Sequence, residues 1–130
     1  MTLVVDASAV VDVLLRVPRG ELVAPALARD DLAAPDLLDV EVVSALARQV
    51  RGGQLDARDG LSAVEDLAGL PVDRVAHALL LRGAWQLRDR VRVNDAFYVA
   101  CAQLLDAPLL TTDARLARAP LPGVSVLLVR

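Results

Sequence analysis

The chain opens on the apolar run Leu3-Val4-Val5, stops at Asp6-Ala7-Ser8, and then places Ala9, Val10, Val13 and Leu14 at helical spacing. A short unalternating apolar run followed by a 3.6-residue period predicts strand, turn and helix. Pro18 and Gly20 are expected to stop that helix, with a second short helix over Glu21 to Arg29 and a brief strand from Asp31 to Ala34 before Pro35. Asp36 is placed to cap a helix whose stripe is Leu38, Val42, Leu46 and Val50, closed by Gly52-Gly53. Beyond it Asp56 begins a helix to about Leu67, Val72 to Val75 forms a short strand, and helix resumes from Ala76 to about Arg90. The segment from about Asn94 to Leu105 is apolar on nearly every face, the mark of a helix buried in the middle of a fold. Leu109 to Thr111 gives a strand, a short helix follows Asp113, Pro120 to Gly123 form a loop, and Val124 to Val129 is a last strand. Short apolar strands set between helices predict an α/β fold, a parallel sheet covered on both faces.

Composition narrows this picture. The 130 residues suit one domain with a continuous core, and no repeat or linker divides them. The longest uncharged stretch, Ala119 to Val129, holds two prolines and is too short to span a bilayer, so a soluble protein with no membrane association is expected. The start reads as a buried strand and not as a signal peptide, which points to the cytoplasm. Cys101 is the only cysteine, a buried small hydrophobe that excludes an internal disulfide and a cysteine-rich zinc site. A net charge of −3 excludes a protein that coats nucleic acid by charge alone. All 14 basic residues are Arg, which excludes a phosphate-binding loop built on Lys and Schiff-base chemistry. His77 is the only histidine, so a ribonuclease with a two-histidine acid–base pair is excluded too, and His77 reads as a packed or surface helix residue. Trp85, Phe97 and Tyr98 fall in helical apolar patterns and read as core.

What remains for chemistry is carboxylates. Ligands of an open parallel sheet bind beyond the C-terminal strand ends, where strand order reverses, and Asp6 and Asp113 each stand at such an end. Glu41 lies early in its helix, and Asp95 begins the buried helix on the side of Tyr98, Val99 and Ala102, so both can point toward that edge. Asp12 has Arg16 four positions on, but none of these four acids has a basic residue three or four positions later, which leaves them without a local partner of that kind. Converging acids repel and raise one another's pKa unless a cation favours the ionised forms. All-oxygen ligation suits Mg²⁺ or Mn²⁺, ions that activate water and stabilise in-line attack on a phosphodiester. Taken singly, Asp6, Asp95 and Asp113 read as helix caps or first-turn charges, and Glu41 as a solvated helix acid. Arg115 and Arg118 stand near the edge as candidate contacts to RNA phosphates.

Four segments, Val4 to Ser8, Pro35 to Leu46, Asn94 to Ala100 and Leu110 to Leu116, in this order, resemble the PIN domains, and within them the VapC-like toxins of bacterial toxin–antitoxin pairs. The resemblance spans nearly the whole chain as a single PIN domain. It implies a three-layer fold around a five-stranded parallel sheet, Mg²⁺-dependent endoribonuclease activity on RNA, a cognate antitoxin as partner, and a homodimer or toxin–antitoxin hetero-oligomer. Carried over by position, Asp6, Glu41, Asp95 and Asp113 match the family's acidic cluster. Asp6 and Asp95 are expected to hold the metal most directly, with Glu41 and Asp113 acting through water or the nucleophile. Ser8 and Thr112 would add hydroxyls beside the metal, and Asn94 would cap its helix. The rival readings are a non-catalytic PIN-like binding module, a housekeeping PIN nuclease, and a phosphate-handling signalling or phosphatase domain. The last lacks both a lysine and the Asp-x-Asp pattern, which is Asp6-Ala7-Ser8 here.

Overall fold

Five short segments, all but Val72–Val75 mainly apolar, become the five strands of one parallel sheet in the computed structural model, which describes residues 1–130. They are β1 (Thr2–Val5), β2 (Asp31–Pro35), β3 (Val72–Val75), β4 (Leu109–Thr111) and β5 (Val126–Leu128), in the order β3-β2-β1-β4-β5. Seven α-helices connect them: α1 (Ala7–Leu14), α2 (Pro18–Arg29), α3 (Leu37–Arg51), α4 (Ala57–Gly69), α5 (Leu81–Gln86), α6 (Val93–Leu105) and α7 (Ala114–Arg118). The chain first builds leftward from β1 to β3, then crosses back to β4 and β5. Since parallel crossovers are right-handed, the helices of the two halves fall on opposite faces. Helices α1 to α4 pack on one another, whereas α6 lies across β1, β2 and β4 with α5 outside it. Val4 and Val5 of β1 are fully buried, as are Val99 and Cys101 of α6. No helix is long and apolar enough to cross a membrane.

Several boundaries differ from the sequence expectation. Helix α1 ends at Leu14, and Arg16 turns the chain with a φ of 56°. Pro18 does not stop a helix but starts α2, at the position where its missing N–H costs nothing. Gly20 is inside α2 because the two helices meet there: a Cβ would collide with the Asp12 carbonyl oxygen. Arg16 is thereby turned away from its expected partner, and Asp12 takes Arg19 instead at 2.6 Å. The helix expected from Ala76 to Arg90 is a 3₁₀ turn (His77–Leu79) followed by the short α5, which together keep Leu80, Ala84 and Leu87 buried. Strand β5 is shorter than Val124 to Val129.

The cap of α3 is also not the expected one. Asp36 makes no side-chain cap bond; the N–H of Leu37 donates to His77 Nε2 at 2.9 Å, from 40 positions downstream. His77 further packs its ring against Phe97, 5.0 Å between centroids. The sole histidine is thus committed to tying the β3–α5 connection to the helix that carries Glu41. Of the three aromatics expected in the core, Tyr98 is buried and Phe97 half-buried, but Trp85 is exposed, because α5 is too short for its apolar spacing to define an inner face.

Candidate active site

Strand order reverses between β1 and β4, and both strands end on acids. Asp6 follows β1 and caps α1, accepting the Ala9 N–H at 3.1 Å. Asp113 follows β4 and caps α7, accepting the Arg115 N–H at 2.9 Å. The capping role that each acid suggests by itself is therefore real, and it engages only one carboxylate oxygen of each. Asp95 is different. Helix α6 starts at Val93, so Asp95 sits within its first turn and Arg92 precedes the helix.

The four predicted acids do meet. Asp6, Glu41, Asp95 and Asp113 line one cavity of about 110 Å³ at the carboxyl edge of the sheet, together with Ser8, Arg92 and Tyr98. Asp6 is its buried floor. Ser8 donates to one of its oxygens at 2.7 Å, and Thr111 to the other at 2.5 Å. Burial pushes the Asp6 carboxyl up to about 6, against these hydrogen bonds, and Asp95 adds repulsion. Burial also raises Asp95, the neighbouring Arg92 lowers it, and Asp113 and Glu41 repel its charge. Tyr98 is held protonated by burial first and by Glu41 next, toward which its hydroxyl is directed as a donor without reaching good hydrogen-bond geometry; Asp6 and Asp95 add repulsion.

Of the hydroxyls expected here, Ser8 is placed as anticipated, but the second is Thr111 and not Thr112. Thr112 contributes its N–H, which donates to Ser8 Oγ at 3.1 Å. Thr111 was detectable as a hydroxyl two residues before a strand-end Asp, an arrangement that favours a local turn; its oxygen accepts the Asp113 N–H at 2.9 Å. Asn94 does not cap its helix: its amide donates to Glu41 at 3.1 Å. Local basic partners exist after all, in the unexpected direction or spacing. Arg92 donates to Asp95 at 3.3 Å from three positions earlier, and Arg115 stands 3.6 Å from Asp113 two positions later.

A divalent cation fits the chemistry of this donor set. The donors are all oxygen, burial first and neighbouring carboxylates next raise the pKa of Asp6 and Asp95, and a buried tyrosine lines the same space. The set is not drawn together in advance, since no three His, Cys, Asp or Glu side chains are grouped closely enough to hold an ion. Two of the acids are engaged in ion pairs instead, Asp95 with Arg92 and Asp113 with Arg115.

Comparison with known proteins gives the chain a family. The PIN domain family matches residues 3–121. The chain is 48% identical to ribonuclease VapC3 of Mycobacterium tuberculosis, covering 89% of this chain and 85% of that protein. It is 42% identical to ribonuclease VapC1 of the same organism, covering 98% and 97%. Its fold resembles that in the crystal structure of VapBC2 from Rickettsia felis bound to a DNA fragment from their promoter, with a TM-score of 0.73 over the full length of both chains at 13% identity.

Proposed function

The chain belongs to the PIN domain family, and from that premise we propose that it is a divalent-metal-dependent endoribonuclease, the toxin of a toxin–antitoxin pair acting in the cytoplasm. The observation that carries the reading is the convergence of Asp6, Glu41, Asp95 and Asp113 on one cavity at the strand-order reversal. The relatives named as ribonucleases support the reaction class.

Asp6, Asp95, Glu41 and Asp113 would hold Mg²⁺ or Mn²⁺, which supplies water of lowered pKa and charge neutralisation for the phosphodiester. Asp6 is fixed by Ser8, Thr111 and the Ala9 N–H, so its carboxylate is oriented before any ligand arrives. Asn94 orients Glu41 through its amide hydrogen bond. Tyr98 stays protonated and offers a donor to the cavity. His77 is engaged with the Leu37 N–H, so no pair of histidines is available to activate the RNA 2′-hydroxyl. Attack by water on the phosphorus with departure of the 3′-oxygen, which takes up a proton, leaves 5′-phosphate and 3′-hydroxyl ends and passes through no 2′,3′-cyclic phosphate.

Incubation of the purified protein with total RNA and Mg²⁺, followed by end mapping, tests the reading. Full cleavage after chelation, or 2′,3′-cyclic phosphate ends, contradicts it. An antitoxin encoded beside this chain should bind it and suppress cleavage. Cleavage by a protein that is harmless when expressed alone and has no such partner would leave a housekeeping nuclease, and metal binding without cleavage would leave a non-catalytic module.

A further inference from the structure

Helices α3 and α6 carry Glu41 and Asp95, yet they scarcely touch each other: α3 packs with α1, α4 and β2, and α6 with α5 and strands β1, β2 and β4. Two features bridge them at the carboxyl edge of the sheet. One is the bond from the Asn94 amide to Glu41 at 3.1 Å, which is exposed and open to competition from water. The other is His77, the only histidine, which meets both helices from the 3₁₀ turn that follows β3. Its Nε2 accepts the Leu37 N–H at 2.9 Å, and its half-buried ring packs on Phe97, two residues beyond Asp95.

The Leu37 N–H is placed to govern Glu41. Leu37 is the first residue of α3, and Glu41 stands one turn later. Helical Cα–Cβ bonds tilt toward the helix N-terminus, so the Glu41 side chain lies over the turn that Leu37 begins. Asp36, in the capping position, has helical backbone angles, φ −51° and ψ −28°, and makes no side-chain bond to the helix. Its own N–H donates to the Val75 carbonyl at 3.1 Å, and Pro35 and Val75 are partners in register, so the chain is tied just where α3 begins and His77 follows. Without the imidazole, the first turn of α3 is left to water or to an Asp36 that must change its backbone angles to cap. Either outcome shifts the turn beneath Glu41.

We propose that His77 is a positioning residue of the acidic cavity: it accepts the Leu37 N–H while seated on Phe97, and so sets Glu41 of α3 against Asp95 of α6 for a shared divalent cation. The inference rests on the metal-dependent reading above. Loss of a residue that orients metal-holding groups typically changes metal affinity or activity by about 10- to 100-fold, and a carboxylate displaced by ~0.5 Å already leaves a productive geometry.

The test is Mn²⁺ binding to the RNA-free protein, read by the electron paramagnetic resonance of free Mn²⁺, beside RNA cleavage over a Mn²⁺ series. His77→Phe keeps a ring on Phe97 and removes the acceptor; His77→Gln puts an amide oxygen where Nε2 stood. The Phe variant is expected to bind Mn²⁺ about tenfold more weakly. Its cleavage should fall at limiting Mn²⁺ and recover as Mn²⁺ is raised, with KM for RNA unchanged. The Gln variant should regain most of the affinity. Asp56→Ala is the control for stability alone. It removes the α4 cap, in which Asp56 accepts the Arg58 N–H at 2.7 Å, and should lower thermal stability without lowering Mn²⁺ affinity. In the parent, the ring ¹⁵N shifts of the single histidine should place its proton on Nδ1, since Nε2 is the acceptor. A Phe variant with parental Mn²⁺ affinity, a Gln variant no better than the Phe variant, an Asp56→Ala variant that loses as much, or a proton on Nε2 overturns the proposal. Parental cleavage in Mn²⁺ leaves the nuclease reading standing in each of those cases. Mn²⁺ binding that depends on His77 in a parent that cleaves no RNA sustains the positioning role and removes the nuclease. A parent that binds no Mn²⁺ overturns both.

Discussion

The Thr111 hydroxyl at the end of β4 donates to Asp6 at the end of β1, joining residues 105 positions apart at the point where strand order reverses. Because the same oxygen accepts the Asp113 N–H, one side chain fixes two of the four acids. Thr111→Val keeps the shape and removes both bonds. Losing a hydrogen bond to a charged group costs roughly 1.5–3 kcal/mol, so metal-free stability at neutral pH should fall by about that much. Thr111→Ser should stay near the parent. Denaturant unfolding of the three proteins checks this, and a Val variant as stable as the parent contradicts it.

The raised pKa of Asp6 makes a prediction with a definite sign. Its carboxyl goes from 3.8 to about 6 on folding, so the folded state binds the proton more tightly than the unfolded chain. Stability from protonated Asp6 is fully present below pH 3.8 and is lost as pH rises to about 6, a fall on the order of 3 kcal/mol. Asp6→Asn should flatten this part of the metal-free stability–pH curve and abolish cleavage. Its gain at neutral pH should be smaller than the full amount, because the amide nitrogen cannot accept the Thr111 hydrogen. In the parent, a divalent cation competes with the same proton, so Mg²⁺-induced stabilisation should grow between about pH 5 and 7. Calorimetry across that range reads both effects.

Asp95 and Asp113 separate charge from capping. Asp113 caps α7, and Asn caps about as well, so Asp113→Asn should keep its metal-free stability within roughly 0.5 kcal/mol. Asp95 caps nothing, and Asp95→Asn loses only an ion pair with the exposed Arg92, worth roughly 0.2–1 kcal/mol. Relief of repulsion from Asp113 and Glu41 offsets that loss. Both variants should nevertheless lose RNA cleavage and Mg²⁺-induced stabilisation. Full activity with unchanged Mg²⁺ response in Asp95→Asn would remove it as a metal ligand.

Strands β1 and β4 and the middle of α6, Ala96 to Ala102, are legible because buried segments carry few polar residues, and Asp6 and Asp113 because they follow such strands. Their convergence with Glu41 and Asp95 follows from the order of elements and from the resemblance. Details decided by tertiary neighbours are not legible. The N-terminus of α3 takes its acceptor from His77 and not from Asp36, a choice between a local and a distant partner that spacing cannot settle. Thr111 and Thr112 have the same hydroxyl, and only the strand's alternation in place decides that Thr111 points to Asp6. Trp85 escapes prediction because an element of six residues has no reliable period. The pairing of Arg92 with Asp95 runs upstream from the acid, from a residue outside the helix, where the downstream spacing of helical ion pairs does not reach.

Tyr98 is 1% exposed, and its hydroxyl lies unpaired in the cavity the four acids line. A buried hydroxyl without a partner costs roughly 1–3 kcal/mol, so Tyr98→Phe should leave the metal-free protein as stable as the parent or slightly more so. The hydroxyl stays protonated, because burial and the neighbouring carboxylates all oppose its ionisation, so it keeps a hydrogen to donate to whatever enters the cavity. If that donor acts on the substrate as it reacts, its removal should lower kcat by about tenfold, the equivalent of one hydrogen bond of roughly 1.4 kcal/mol, with KM little changed. Steady-state cleavage of a defined RNA beside thermal unfolding separates the alternatives. A Phe variant that is clearly less stable yet fully active would make the hydroxyl a structural group, and Tyr98 would then serve only as the apolar wall behind Glu41.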